Sequence, residues 1–390
     1  MKSTIIQFFL IMALPIISFG QTVNDILEQV DSSRTVQMVR ELSGEDSTIV
    51  NDVPTIITHR VSGLDNNLAA DYIKEKLTDL GLDVTDDVYS PGNTGGRNIF
   101  ATQLGSVHPD SIFIICGHYD AVTNYCADDN ASAVAAILEA ARIMSQYEFE
   151  NTIIYALWDQ EEIGLVGAKN YANKAAANGD KIIAVLNMDM MAYENDGDNL
   201  FDIDVRNIAN SYQIRDDLIA LVTTYGFNLV ANVVDPGTSA SDHSAFWSQG
   251  YSAVLFGEAW STGDRNPAYH SVGDRINLFD LEYYYNMVKL SIAYMATKAV
   301  LVPISSVLLL DPSNMLVHPN PTANTVTIDF GQQFVGKLVV YTLNGKRVLS
   351  QKVEHETSAE IDMSTLPSAL YLLKIENEFG ESTMVKILKE

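Results

Sequence analysis

The chain has 390 residues, 47% of them hydrophobic, enough for one large core and a smaller one, since domains mostly run to about 100–200 residues. Against 24 Lys and Arg stand 50 Asp and Glu, and the net charge of -26 repels nucleic acid and anionic lipid, which argues against polyanion binding. The same surplus of carboxylates suits hard or borderline cations, although a solvated acidic surface accounts for most of it.

Residues 1–20 run from Lys2 through an apolar stretch, Ile5 to Ile17, to Ser18, Phe19 and Gly20, the order of a secretory signal. A mature chain starting at Gln21 is therefore expected. No later stretch reaches the roughly 20 apolar residues of a membrane-crossing helix, so no stable membrane insertion is expected. The two cysteines, Cys116 and Cys126, are too few for a disulfide framework. They form either one bridge or two buried thiols, a choice that depends on whether their Cβ atoms meet.

From Asn66 to Leu80, apolar residues recur at helical spacing and Gly81 follows where a C-cap belongs. Ser111–Cys116, Thr152–Trp158 and Lys181–Leu186 are short, β-branched apolar runs with helical stretches between them, the signature of buried strands in a mainly parallel sheet. Ala131–Met144 and Asp280–Ala299 read as helices packed on that sheet. After Leu301 the character changes: Pro303, Pro312, Pro319 and Pro321 punctuate the chain, and short runs such as Thr325–Phe330 and Lys337–Tyr341 predict a separate all-β domain.

Each of the three apolar runs ends in side chains that bind metals or move protons. His118 and Asp120 follow the first, Asp159, Glu161 and Glu162 the second, and Asp189 the third. In open α/β sheets, ligands bind beyond the carboxyl ends of the strands, so the three clusters should face one pocket. Singly, each has a plainer explanation: Asp128 and Asp129 as a helix N-cap, Glu161 and Glu162 as a solvated first turn, His118 as a hydrogen-bonded core histidine. Together, so many carboxylates at the mouth of a buried sheet are costly unless cations or partners neutralise them.

Gly117-His118-Tyr119-Asp120, Ala127-Asp128-Asp129-Asn130-Ala131-Ser132, Glu161-Glu162-Ile163-Gly164-Leu165, Asn187-Met188-Asp189-Met190 and Tyr269-His270-Ser271 occur in that order. With them the chain resembles the zinc aminopeptidases of metallopeptidase family twenty-eight, the bacterial leucyl aminopeptidase type, over about residues 55–300. The resemblance implies a three-layer α/β/α zinc-exopeptidase-like domain that removes the N-terminal residue from peptides with a free N-terminus. It implies two Zn2+ ions, with Asp128 bridging them, His118 and Asp189 completing one site and Glu162 and His270 the other. Glu161 takes the place of the general base acting on a zinc-bridging water, and Asp120 that of the carboxylate orienting His118. It further implies a cis peptide between Asp128 and Asp129. Ser241 to Phe246 resembles a segment lining the substrate side, and its His243 is the rival of His270 as a ligand.

The tail carries a second resemblance, in His318-Pro319-Asn320-Pro321, Leu366-Pro367-Ser368-Ala369-Leu370-Tyr371 and Val385-Lys386-Ile387-Leu388-Lys389, to the C-terminal sorting domain of type IX secretion. The expected organisation is a signal peptide over 1–20, a zinc peptidase domain over 21–302, a linker over 303–316, and a small sandwich-like β domain over 317–390 that addresses the protein to the secretion machinery and, via the periplasm, to the cell surface or outside. Two rival functions share the scaffold: a one-zinc glutaminyl cyclase, which lacks the Asp-Asp-Asn run, and a non-catalytic binding module, which would typically have lost ligands.

Overall fold

A computed structural model describes residues 21–61, 66–90, 95–302, 315–343, 345–377 and 382–390. The proposed signal segment and nearly all of the proposed linker lie outside the described residues. The chain divides into two compact units, one over Gln21–Pro303 and the other carrying the strands after Ile304.

In the first unit, α1 (Val23–Leu27) and α2 (Ser32–Leu42) each open on a side-chain cap, from Thr22 and Asp31. A hairpin of β1 (Thr48–Val50) and β2 (Val53–Thr55) precedes α3 (Asn67–Thr78), the helix expected from the apolar spacing. Gly81 lies just beyond it at φ +75°, a conformation that glycine adopts without a steric penalty.

Eight strands form the central sheet: β3 (Asp83–Tyr89), β4 (Gly96–Gln103), β5 (His108–His118), β6 (Asn151–Trp158), β7 (Lys181–Met188), β8 (Leu200–Asp204), β9 (Val230–Val234) and β10 (Ala253–Glu258). Their spatial order is β3-β4-β6-β5-β7-β10-β8-β9. The heart of the sheet, β6-β5-β7-β10, is parallel as expected, whereas β3-β4-β6 and β10-β8 pair antiparallel and β8-β9 parallel. The sheet is thus mixed at its flanks, where the connection from β3 to β4 is too short for a parallel crossover.

Five further helices are α4 (Ala133–Met144), α5 (Val166–Asn178), α6 (Ser211–Tyr225), α7 (His243–Trp247) and α8 (Leu281–Lys298). The continuous apolar runs of the central strands serve both faces of the sheet, because successive side chains alternate. Phe113, Ile115, Ile153, Tyr155 and Leu157 join a core with α3, α4, α6 and α8. Ile114, Cys116, Ile154, Ala156 and Trp158 join the opposite core with α5 and α7. Three layers result. Both cysteines are buried and unbridged, Cys116 reaching the Asn187 side-chain oxygen at 3.5 Å.

The connection through α4 takes the chain from β5 to β6 on one side, and α5 carries it back across β5 to β7 on the other. The carboxyl ends of these three strands therefore surround the topological switch point where α/β sheets bind ligands.

The second unit is all-β: β11 (Leu316–His318), β12 (Thr325–Thr342), β13 (Arg347–Asp362), β14 (Ala369–Asn377) and β15 (Ser382–Lys389) form one antiparallel sheet. The two short runs expected at Thr325–Phe330 and Lys337–Tyr341 are one long strand with register shifts between Asp329 and Gly336. Val326, Ile328, Leu338 and Val340 of that strand share a core with Tyr371, Leu373, Ile375 and Ile387. Among the described residues, no helix is long and apolar enough to cross a membrane.

Candidate metal centre

Two imidazoles and three carboxylates meet at the switch point. His118, at the end of β5, directs Nδ1 to the backbone carbonyl of Asp120 at 3.1 Å. A carbonyl can only accept, so that nitrogen carries the proton and Nε2 is left facing Oδ1 of Asp189 at 3.3 Å and Oδ1 of Asp129 at 3.4 Å. His270 directs its Nε2 to Oδ2 of Asp129 at 3.3 Å and Oε2 of Glu162 at 3.2 Å. Its ring is held against Tyr269, stacked at 3.7 Å between centroids.

Asp129, and not Asp128, is therefore the carboxylate shared by the two histidines. Asp128 is fully buried and points away: its Oδ1 accepts the amides of Met191 and Ala192, both at 3.0 Å, and its Oδ2 accepts from Asn266 at 3.2 Å. The cause is a π-type turn over Ala127–Ser132 in which Asp129 and Asn130 leave helical dihedrals, so neither aspartate caps α4. The cis peptide correspondingly joins Asp129 to Asn130 rather than Asp128 to Asp129. Asp274 holds this turn by accepting the amides of Asp128 and Asp129, and Asn130 bridges to the loop after β7 through Met188 and Met190.

His118, Glu162, Asp189 and His270 converge as the resemblance implies. His243 does not join them: it is buried in α7, its Nε2 bonded to the Thr238 carbonyl at 3.0 Å and its ring edge-on to Trp247. Asp120 meets His118 by two atoms, its carboxylate Oδ1 standing 3.5 Å from Nδ1. Its carbonyl, not its carboxylate, makes the shorter contact with His118, while the carboxylate accepts the amides of Glu161 at 3.0 Å and Glu162 at 3.3 Å, fixing the turn after β6.

Burial works against charge at Asp129, yet the two imidazoles outweigh it and hold its carboxyl below the ordinary range. Burial likewise pulls His118 down, but Asp189, Asp120 and Asp129 raise it well above its usual value. Glu161 is pushed up to about 10 by burial, with Asp242, Asp189 and Glu162 adding repulsion, and Glu162 to about 8 by burial and Asp129. Oε1 of Glu162 is buried without a hydrogen-bond partner, and Oδ2 of Asp129 has only the His270 imidazole at 3.3 Å. Desolvated, mutually repelling carboxylates interleaved with imidazole nitrogens fit divalent cations such as zinc, whose charge and lone-pair demand would satisfy them together.

Several neighbours take part without an individual role legible in the sequence, Ser241 and Asp242 lying in the segment that resembles a substrate-side lining. Arg60, 1% exposed, donates to the carbonyls of Leu42, Tyr119, Tyr125 and Cys126 and so ties the loop after β5 to the turn bearing Asp129. Ser241 donates to Oδ2 of Asp189 at 2.7 Å and accepts from Asn187 at 2.8 Å. Asp242 is fully buried with neither carboxyl oxygen hydrogen-bonded, and burial raises its pKa well above the usual range. From the cluster a cavity of about 460 Å³ extends past Ser241 over the face of β8 and β10.

Residues 98–295 match Peptidase family M28, half of the chain. The chain belongs to that family. M28 relatives include the leupeptin-inactivating enzyme 1 of Streptomyces exfoliatus, 30% identical over 189 residues, a match covering 46% of this chain and 40% of the relative. The chain spans about half the length, or less, of the curated relatives it matches most strongly. Among solved structures, the LapA aminopeptidase of Legionella pneumophila superposes with a TM-score of 0.61 at 20% identity, covering 74% of this chain and 78% of that one. Glutaminyl cyclase from Fimbriiglobus ruber superposes at 0.54 with 17% identity, covering 68% and 94%. At these identities the superpositions speak to the M28 fold alone. Residues 316–390 match a secretion system C-terminal sorting domain, which points to the cell surface or the exterior.

Proposed function

We propose that this M28 member is an exported metallo-aminopeptidase that hydrolyses the first peptide bond of peptides with a free N-terminus. The observation that carries the reading is Asp129, one oxygen on His118 and the other on His270. His118, Asp189 and Asp129 would hold one zinc ion, and His270, Glu162 and Asp129 a second, Asp129 taking the bridging role that the sequence resemblance gave to Asp128. Two such ions supply Lewis-acid polarisation of the carbonyl and a lowered pKa for water.

Glu161, whose carboxyl the charge of two such ions would bring back into the ionised range, then does the proton work. It lies beside the cluster, 8% exposed, and its amide is anchored on Asp120. It takes the proton from water as the water oxygen bonds to the carbonyl carbon, and gives it to the nitrogen as the C–N bond breaks, leaving a free amino acid and a shortened peptide. Ser241 keeps Asp189 oriented, and Asp120 keeps Glu161 and Glu162 from exchanging places.

The glutaminyl cyclase fold makes a one-ion cyclisation the nearest rival. Metal analysis combined with a panel of aminoacyl p-nitroanilides and a peptide with N-terminal Gln separates the two. Two zinc ions per chain and release of p-nitroaniline support the peptidase; one ion at full activity with ammonia release from the Gln peptide overturns it.

A further inference from the structure

The cavity beside the metal centre has an end that the hydrolytic chemistry does not use. Asp202 and Asp204 lie on β8 two residues apart, so their side chains share one face of the sheet, and both line the cavity. In register they pair with Gly257 and Leu255 of β10. Gly257 packs so closely on the loop after β7 that a Cβ there would meet the carbonyl oxygen of Asp189 at 2.2 Å. The two aspartates are thus one strand removed from the metal centre.

We propose that this end of the cavity is a subsite for the side chain of a basic N-terminal residue, lysine or arginine. The proposal rests on the aminopeptidase reading and gives it a substrate class. Asp202 is fixed, its Oδ1 accepting from Asn232 at 2.6 Å and the Ser261 hydroxyl at 3.1 Å, and its Oδ2 from the Ser261 amide at 2.8 Å. Asp204 is half used: Oδ1 accepts the Thr238 amide at 2.7 Å, while Oδ2 has no partner among the described residues although the residue is only 6% exposed.

Among the described residues lining the cavity there is no Lys or Arg. Arg206, two residues beyond Asp204, donates to the Gly237 carbonyl at 2.9 Å and lies over the Trp247 ring. Burial raises the Asp204 carboxyl to about 6, with the Asp202 charge adding to it and the Thr238 amide and the Arg206 charge offsetting it only in part, so an incoming cation relieves a strain already present. Val234, Pro236, Leu255 and Trp260 give the same cavity apolar walls. An aliphatic stem packed on such walls with its charged head on a carboxylate is how lysine and arginine bury. Leucine would fill the walls and leave Oδ2 of Asp204 desolvated and unpaired.

The test uses the full, zinc-loaded chain. The value of kcat/KM is measured for the Lys, Arg and Leu p-nitroanilides, and free L-arginine and L-leucine are titrated calorimetrically, in the natural chain and in Asp204→Asn. Lys and Arg substrates are expected to exceed Leu by tenfold or more, and Asp204→Asn to cut that ratio at least tenfold. Equal or better use of Leu by the natural chain, or a ratio unmoved by Asp204→Asn, overturns the subsite while leaving the peptidase intact. No hydrolysis of any of the three overturns the peptidase itself. In that case calorimetry decides the subsite alone: arginine binding that weakens in Asp204→Asn supports a basic-ligand site, and no preference for arginine over leucine overturns it.

Discussion

The carboxylates of Asp128 and Asp129, adjacent in the chain, face opposite ways: Asp128 accepts the Met191 and Ala192 amides inside the core, and Asp129 stands between His118 and His270. Substitution should separate them. Asp128→Asn keeps an acceptor for both amides, so zinc content should stay full and the cost should be confined to stability, about 1–3 kcal/mol where the hydrogen bonds to its neighbours are disturbed. Asp129→Asn removes the charge shared by both proposed ions and should lower zinc occupancy at both sites, with activity falling in step. Metal analysis after dialysis reads the difference, and full zinc in Asp129→Asn with loss in Asp128→Asn would restore the opposite assignment.

That pair marks the boundary of what was legible in the sequence. The strand ends at His118, Glu162 and Asp189 could be read because apolar, β-branched runs stop where metal-binding side chains begin. The choice between two neighbouring aspartates depends on a turn whose dihedrals no periodicity encodes. β3, with Asp83, Asp86 and Asp87 in seven residues, is too polar to register as a buried run, and so the antiparallel edge was missed. Arg60 and Asp274 act through backbone groups of distant segments, contacts that exist only once the chain has folded. Asp202 and Asp204 alternate with buried Phe201 and Ile203, a strand pattern visible in principle but silent about which face borders the metal centre.

Glu161 and Glu162 form a second adjacent pair with different proposed tasks. Glu161→Gln preserves shape and leaves the proposed ligands in place but removes the proton acceptor, so turnover should fall by roughly 10² to 10⁴ while zinc content is unchanged. Glu162→Gln should release zinc first from the site it shares with His270, because a neutral amide is a poor ligand. If both variants kept full zinc and near-normal rates, the proposed site would be wrong.

The buried His243 makes stability depend on pH. Burial pulls its pKa down to about 4, only partly offset by the bond to the Thr238 carbonyl. Its folded value lies below the unfolded one, so the contribution is fully present above the unfolded pKa near 6.5 and is lost as the pH falls toward 4, where the unfolded chain gains a proton the fold resists. Between pH 7.5 and 5 the loss is about 2 kcal/mol. Urea unfolding of the natural chain and of His243→Gln at both pH values isolates it, since contributions from other groups and from bound metal cancel in the comparison. An equal drop in both proteins would show that His243 is not the group responsible.

The C-terminal unit offers the last test. Every residue of the proposed centre lies in the unit Gln21–Pro303, and the strands after Ile304 build their own core from Val326, Ile328, Leu373, Ile375 and Ile387. A chain ended after Val302 should therefore fold, bind zinc and cleave aminoacyl p-nitroanilides within about twofold of the full protein, because a unit with its own core unfolds on its own account. Export should respond differently. The match of residues 316–390 to a secretion sorting domain predicts that the truncated chain, expressed in its native host, stays inside the cell envelope while the full chain reaches the surface or the medium. Fractionation with the peptidase assay as readout distinguishes the outcomes: an inactive but folded truncation would give the β unit a part in catalysis, and an active truncation released as efficiently as the full chain would remove the sorting role.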